Sequence, residues 1–312
     1  MPDQLNLFPR SEEPSPVGPA PVDPGLASIG ARLPADVYLG TSSWSFPGWK
    51  GIVYDREVSQ KTLSRRGLEA YSQHPLLRAV AIDRTYYGPI PASEFRAYAD
   101  QVPESFRFLV KAHEELTRPG RHYLDQAYAV EAVVGPAMEG LGEKGAVLLF
   151  QFPPQNVRGV GGPQRFAEDL ARFLRGLPRG ILYAVELRNA ELLTVSYLEA
   201  LEGTGASHVF NVHPSMPEVA EQSRLAAGAR LRPSAALVVR WMLRRDRDYE
   251  EARKDFHPFD RLAAEDELSR KAVAGLCRTR PAFVIVNNKA EGSAPLSVFK
   301  LAEEIARYQA IP

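Results

Sequence analysis

The sequence of 312 residues contains a single cysteine, Cys277. One thiol leaves no intrachain disulfide, which removes the cystine-stapled secreted scaffolds. Cys277 lies in a helical pattern and reads as a small buried hydrophobe, with no histidine motif beside it to make it a nucleophile. Net charge is missing as well, because 38 basic side chains face 38 acidic ones. No global field draws the chain to nucleic acid or to an anionic membrane, although a local patch stays open. No apolar run approaches the roughly 20 residues of a membrane helix. No basic segment leads into an apolar one as in a signal peptide, so the expected location is cytoplasmic. The six histidines (His74, His113, His122, His208, His213 and His257) show no His-Glu-x-x-His spacing. A Gly-x-Ser-x-Gly nucleophile elbow is absent too.

What is present divides the chain in three. Residues 9–35 hold Pro9, Pro14, Pro16, Pro19, Pro21, Pro24 and Pro34 among small and acidic residues. Such a stretch buries too little apolar surface to offset its ordering entropy, and it reads as a disordered, extended spacer. Residues 1–8 precede it, and a folded domain is expected over 36–312.

Within that domain, short apolar runs alternate with helical stripes. The runs are 37–41, 80–82, 106–112, 146–152, 182–188, 207–213, 236–241 and 283–288. Continuous apolar runs of this length suit strands covered on both faces, hence a parallel sheet. Eight strand–helix alternations in about 275 residues fit a closed (β/α)₈ TIM-type barrel. An open doubly wound sheet is the alternative. It would more often show a glycine-rich phosphate turn after its first strand, and 40–44 is not one.

A barrel of this kind carries its chemistry at the C-terminal strand ends. Those ends hold Ser42, Ser43 and Trp44; Asp83 and Thr85; Lys111 and His113; Gln151; Glu186 and Arg188; Asn211 and His213; Arg240; and Asn287 and Asn288. Period-two alternation puts Ala184, Glu186 and Arg188 on one face, so the two charges point into the mouth together. A structural ion pair that closes the barrel top would look the same.

Several of these segments, in order, resemble the domain-of-unknown-function-72 (YecE-like) family. The opening Gly40-Thr41-Ser42-Ser43-Trp44-Ser45-Phe46 is similar to that family's Gly-Thr-Ser-Gly-Trp-Ser-Tyr. Phe106-Arg107-Phe108 running into Lys111 follows, then Phe150-Gln151-Phe152-Pro153-Pro154 and Val185-Glu186-Leu187-Arg188. Val239-Arg240-Trp241 and Asn287-Asn288-Lys289-Ala290-Glu291-Gly292-Ser293-Ala294-Pro295 complete the series. The resemblance runs from about Val37 onward and implies a TIM-type barrel; it supplies no reaction. One segment departs from the pattern. Where the family's second strand commonly ends Glu-Ile-Asn-Ser-Thr-Phe-Tyr, this chain reads Ala81-Ile82-Asp83-Arg84-Thr85-Tyr86-Tyr87.

The residues point first to an anion site. Lys111, Arg188 and Arg240 would offer cations at one rim, and guanidinium groups pair well with carboxylate or phosphate. Ser42, Gln151, Asn287 and Asn288 would add neutral hydrogen bonds. Trp44, Tyr87 and their aromatic neighbours Trp49, Tyr86 and Trp241 would add flat faces for a sugar or base. Glu186, Lys111 and Asp83 are the candidate catalytic groups. No cofactor is expected, although a divalent metal held by His113, His213, Asp83 and Glu186 stays open. The mixed-charge run 244–251 reads as a solvated surface, with Phe256, Pro258 and Phe259 anchoring the loop after strand seven over the barrel.

Gln4-Leu5-Asn6-Leu7-Phe8 resembles the bacterial sliding-clamp-binding pentapeptide, usually Gln-Leu-Ser/Asp-Leu-Phe. The resemblance implies that Leu7 and Phe8 fill an apolar pocket on the clamp, with Gln4 and Leu5 as further anchors. Folding back of the same side chains onto the barrel is the plainer reading. Two functions are thus carried forward. One is an enzyme, a hydrolase or lyase, on a phosphorylated or nucleotide-like substrate. The other is a non-catalytic binding or scaffold protein of DNA replication or repair.

Overall fold

The computed structural model describes residues 17–230 and 232–309. Eight parallel strands close in chain order: β1 Val37–Thr41, β2 Ala79–Ile82, β3 Arg107–Lys111, β4 Gly145–Gln151, β5 Leu182–Glu186, β6 Ser207–Val212, β7 Leu237–Trp241 and β8 Ala282–Val286. The seam pairs β1 with β8 from Val37 opposite Ala282 to Thr41 opposite Val286. The chain is therefore a closed barrel with no free edge, and the open sheet is excluded.

Helix α1, Pro24–Arg32, precedes the barrel. Around it stand α2 Gln60–Ser72, α3 Ala92–Ala99, and α4 Gln126–Ala129, which continues through a π-helical turn at Val130–Val134 into α5 Gly135–Leu141. There follow α6 Gly162–Arg175, α7 Val195–Glu202, α8 Val219–Gly228, α9 Tyr249–Phe256, α10 Glu267–Leu276 and α11 Ala294–Gln309. Alternation along each strand separates two apolar layers. Val80, Phe108, Leu148, Phe150 and Val185 face the helices. Ala79, Ala81, Leu109, Val147, Leu149, Ala184, Val209, Val238 and Ile285 fill the barrel. Small side chains predominate inside because eight strands leave little room. Gly40 is the extreme case, since a Cβ there would lie 1.8 Å from the Ala79 carbonyl oxygen. At the opposite end from the mouth, Tyr38 and Phe283 stack at 4.9 Å.

The expectation of a disordered spacer through residue 35 is corrected from Val17 onward. Residues 17–20 run beside the β1–α2 loop: Pro19 forms an antiparallel bridge with Tyr54, and the Ala20 amide donates to the Val53 carbonyl at 2.9 Å. Helix α1 follows. Its Pro24 sits in the first turn, where a missing N–H costs nothing, and Asp23 accepts from the Gly25 amide at 2.7 Å. Leu26, Ile29 and Leu33 recur at helical spacing and pack on the core. The guanidinium of Arg78 donates to the Gly30 and Pro34 carbonyls, both at 2.7 Å, which ties the end of α1 to the start of β2. Proline density by itself does not signal disorder, because a proline in the first turn of a helix is compatible with folding. Residues 1–16, with Gln4, Leu5, Leu7 and Phe8, lie outside the described residues.

Candidate functional site

Five charged side chains meet at the C-terminal end of the barrel. Glu186, the last residue of β5, is completely buried. One of its oxygens contacts Arg188 Nη2, and the other lies 3.2 Å from Arg240 Nε. Arg240, equally buried, reaches across to Asp83 just after β2, with Nη1 to Oδ1 at 3.3 Å and Nη2 to Oδ2 at 3.4 Å. Two carboxylates and two guanidiniums thus form a chain Arg188–Glu186–Arg240–Asp83. The Glu186 contacts are ionic rather than well-directed hydrogen bonds, since neither oxygen has a donor in hydrogen-bonding geometry. Burial lowers the pKa of Arg188, against the pull of Glu186. Burial also opposes the charge on Arg240, but Asp83 and Glu186 more than offset it, and its pKa is raised.

Lys111 completes the group and differs from it. It ends β3, is buried, and has no ion pair among the described residues. Its ammonium nitrogen lies 3.5 Å from the centroid of the Tyr86 ring. Burial pushes its pKa down to about 8, Arg240 and Arg188 add to the fall, and Asp83 and Glu186 resist it. The negative face of Tyr86 also favours the charged form. Three cations against two carboxylates leave one positive charge at the mouth uncompensated.

The remaining expected residues divide sharply. Ser42 and Asn287 belong to the mouth and bridge the β1–β8 seam, with Asn287 Nδ2 donating to Ser42 Oγ at 2.8 Å. Gln151 stands opposite Glu186 in the β4–β5 register. Tyr87 is 80% exposed on the rim, edge-on to Tyr86. Trp44 and Asn288 do not join them. Trp44 is buried among helices, donating from Nε1 to the Leu63 carbonyl at 3.0 Å and meeting Tyr98 edge-on. Asn288 Oδ1 accepts from the Ala294 amide at 2.8 Å and from Trp49 Nε1 at 3.3 Å. Trp49 and Trp241 are fully buried. All three tryptophans therefore pack the shell and offer no face to a ligand.

His113 and His213 stand at the ends of β3 and β6 but stay apart from the charged chain in their bonding. His113 Nδ1 pairs with the Tyr128 hydroxyl at 2.7 Å, and His213 Nδ1 with Ser215 Oγ at 2.9 Å. Burial, helped by Arg188, lowers the His213 pKa to about 3. Among the described residues no three His, Cys, Asp or Glu side chains group as metal ligands.

Two rim residues were not singled out as site residues from the sequence. Lys289 places its ammonium 4.3 Å from the centroid of Tyr249, an exposed ring at the start of α9. Burial and Arg253 lower its pKa, while Asp83 and Glu250 resist. Tyr87 senses both Tyr249 and Asp83 electrostatically. The mixed-charge sequence around Tyr249 hid this, since nothing in it says which side of the loop faces the mouth. The loop itself is anchored as expected. Leu243, Ala252, Phe256 and Phe259 form a small core with Phe46 of the β1 loop. Gly48 lies so close beneath that a Cβ would meet the Pro258 carbonyl oxygen at 1.9 Å.

The two described cavities open elsewhere. One of about 740 Å³ lies between α7, α8 and α10, and one of about 630 Å³ lies beside α4 and α6. No helix among the described residues is long and apolar enough to cross a membrane.

Comparison with known proteins agrees with the architecture. UPF0759 protein YunF of Bacillus subtilis (strain 168) is 29% identical over 124 residues, which cover 38% of this chain and 40% of that protein. The chain thus matches less than half the length of that curated relative. A solved DUF72 family protein from Enterococcus faecalis V583 superposes with a TM-score of 0.57 at 18% identity, over 86% of this chain and 95% of its own. Another, from Thermotoga maritima MSB8, gives 0.55 at 20% identity, over 86% and 98%. At such identities the structural likeness is one of fold. The family model described as "Protein of unknown function DUF72" matches residues 38–311, the whole barrel, and the chain belongs to that family.

Proposed function

We propose that the barrel mouth binds the anionic group of a phosphorylated or nucleotide-like small molecule, and that the chain is an enzyme acting on it. Lys111 carries this reading as a buried cation with no carboxylate of its own. A buried charge is costly unless paired, so its retention is most simply explained by a ligand that supplies the missing negative charge. The salt-bridged chain supports the same reading indirectly. Apolar residues of similar volume would stabilise a barrel at least as well as buried ion pairs, so stability alone does not favour Arg188–Glu186–Arg240–Asp83. Arg188 and Arg240 both ion-pair with Glu186. Asp83 is partly open to solvent and can exchange protons with a ligand. Tyr87 and Tyr249 offer faces to its organic part.

Orthophosphate at matched ionic strength tests the binding. At a hundred times its dissociation constant it should stabilise the protein by about 2.7 kcal/mol, which is roughly 5 °C or more in Tm for a domain of this size. Lys111→Met should remove that shift while keeping the fold. An equal response from both proteins, or from neither, ends the proposal.

A second part of the proposal concerns Gln4, Leu5, Leu7 and Phe8. Their likeness to a clamp-binding peptide supports a tether to the bacterial DNA sliding clamp, with the barrel either acting there or serving as a binding module of replication or repair. A peptide spanning residues 1–9 should bind a bacterial clamp, and its Leu7→Ala/Phe8→Ala form should not. Equal, negligible binding by both removes the tether.

A further inference from the structure

Resting on the reading of the mouth as an anion site, we infer that Lys111 is an imine-forming nucleophile and that the ligand is an anionic aldehyde or ketone. The geometry is that of an amine kept from pairing. Lys111 ends β3 inside the barrel, and the groups that face it come from three other elements. Asp83 and Tyr86 follow β2, Glu186 and Arg188 come from β5, and Arg240 comes from β7. The two guanidiniums occupy both carboxylates in the chain described above, so neither carboxylate closes on Lys111. An ammonium locked in an ion pair would have no free electron pair to offer. Here the nitrogen has no ion pair among the described residues and lies against the Tyr86 ring, within reach of two cations that disfavour its charge. Desolvation beside other cations is the established way to activate a lysine toward carbonyl compounds. With a pKa of about 8 rather than 10.5, its free amine is on the order of a hundredfold more abundant near neutral pH than that of an ordinary lysine.

The step balances without an outside oxidant or reductant. The Lys111 nitrogen attacks the carbonyl carbon, a C–N bond forms, and the carbonyl π electrons move to oxygen. Nitrogen sheds two protons in turn by way of the Asp83 carboxylate: the first converts the oxyanion to a hydroxyl, and the second reaches that hydroxyl as the nitrogen pair forms the C=N bond, the C–O bond breaks and water leaves. The product is an imine, and its protonated form draws electrons from the neighbouring carbon–hydrogen or carbon–carbon bond. The protonated imine keeps a positive charge at the Lys111 nitrogen, which still balances the substrate's anionic group, with Lys289 on the rim as a second cation.

The probe is pyridoxal 5′-phosphate, an aldehyde that carries a phosphate, with the full chain in solution. Borohydride reduces any imine to a stable secondary amine, and mass spectrometry maps it over the eight lysines of the sequence. Lys111 should carry about tenfold or more adduct than Lys144 or Lys300, given the excess of free amine. Its labelling should rise with pH around a midpoint of about 8. Lys111→Arg should lose the adduct while keeping its melting behaviour, and orthophosphate should compete. Adduct spread over exposed lysines with Lys111 untouched overturns the inference. If phosphate still raises Tm in that case, the anion reading survives alone. Labelling of Lys111 that phosphate does not reduce, with no phosphate-dependent Tm shift, keeps the imine and removes the anion reading.

Discussion

At the scale of single residues, Glu186 is the side chain on which the mouth depends. Its buried carboxylate lies between two guanidiniums, those of Arg188 and Arg240. Glu186→Ala would leave those cations facing each other and should cost about 3–5 kcal/mol in a urea titration. Glu186→Leu combined with Arg188→Met should recover most of that loss, because Arg240 keeps Asp83. A cost below about 1 kcal/mol for Glu186→Ala would show that the site is wetter than its burial implies. Buried histidines give a second prediction. Burial lowers the pKa of His208 to about 4, with Gln222 acting weakly the other way, and burial alone lowers His74 to about 4. Between the ordinary 6.5 and about 4, the unfolded chain takes up protons that the folded chain refuses, so stability must fall as pH drops through that window. His208→Gln should flatten the fall of Tm with pH by an amount worth up to about 3 kcal/mol at its acid end. An unchanged slope would mean that His208 is not protonated on unfolding in that range.

At the scale of elements, the two loops after β1 and β7 act as one wall of the mouth. Gly48 and the Pro258 carbonyl touch so closely that Gly48→Ala must push the loops apart. The expected cost is about 1–3 kcal/mol, as for other overpacked contacts. Trypsin should then cut faster at Arg244, Arg247, Arg253 or Lys254, and unchanged cleavage kinetics would contradict the coupling. The eight strands were legible because buried parallel strands must read as short apolar runs, and Glu186 and Arg188 could be placed inward by alternation from Ala184. Helix α1 was not read, although its Leu26, Ile29 and Leu33 spacing was there, because prolines at permitted positions look like breakers. The tryptophans and the asparagine pair mark another limit. Asn287 and Asn288 are neighbours in sequence, yet one bonds across the mouth and the other under α11. At a strand end the chain can turn after either residue, so residue type alone does not say which one faces the mouth. Pairing partners decide that, and Lys111 was distinguished from Arg188 and Arg240 only when those partners were visible.

At the scale of the whole molecule, the segment before β1 belongs to the folded unit. Leu33 is buried, and Arg78 clasps the end of α1. A chain lacking residues 1–33 should melt several degrees below one lacking only 1–16, since it loses buried apolar surface and takes the Gly30 acceptor from Arg78. Equal melting temperatures would make α1 an ornament. The route of this segment has a further consequence. Val53 and Tyr54 lie in the loop that leads from the C-terminal end of β1 to the start of α2, which is the mouth end of the barrel. Pro19 and Ala20 are fastened there before the chain travels to the opposite end to form α1. Eight residues lie between Phe8 and Val17, and an extended chain across those nine steps spans at most roughly 30 Å. Anything grasped at Leu7 and Phe8 would therefore be moored within one barrel's width of the strands' C-terminal ends, so that the barrel would be presented to its neighbourhood mouth first.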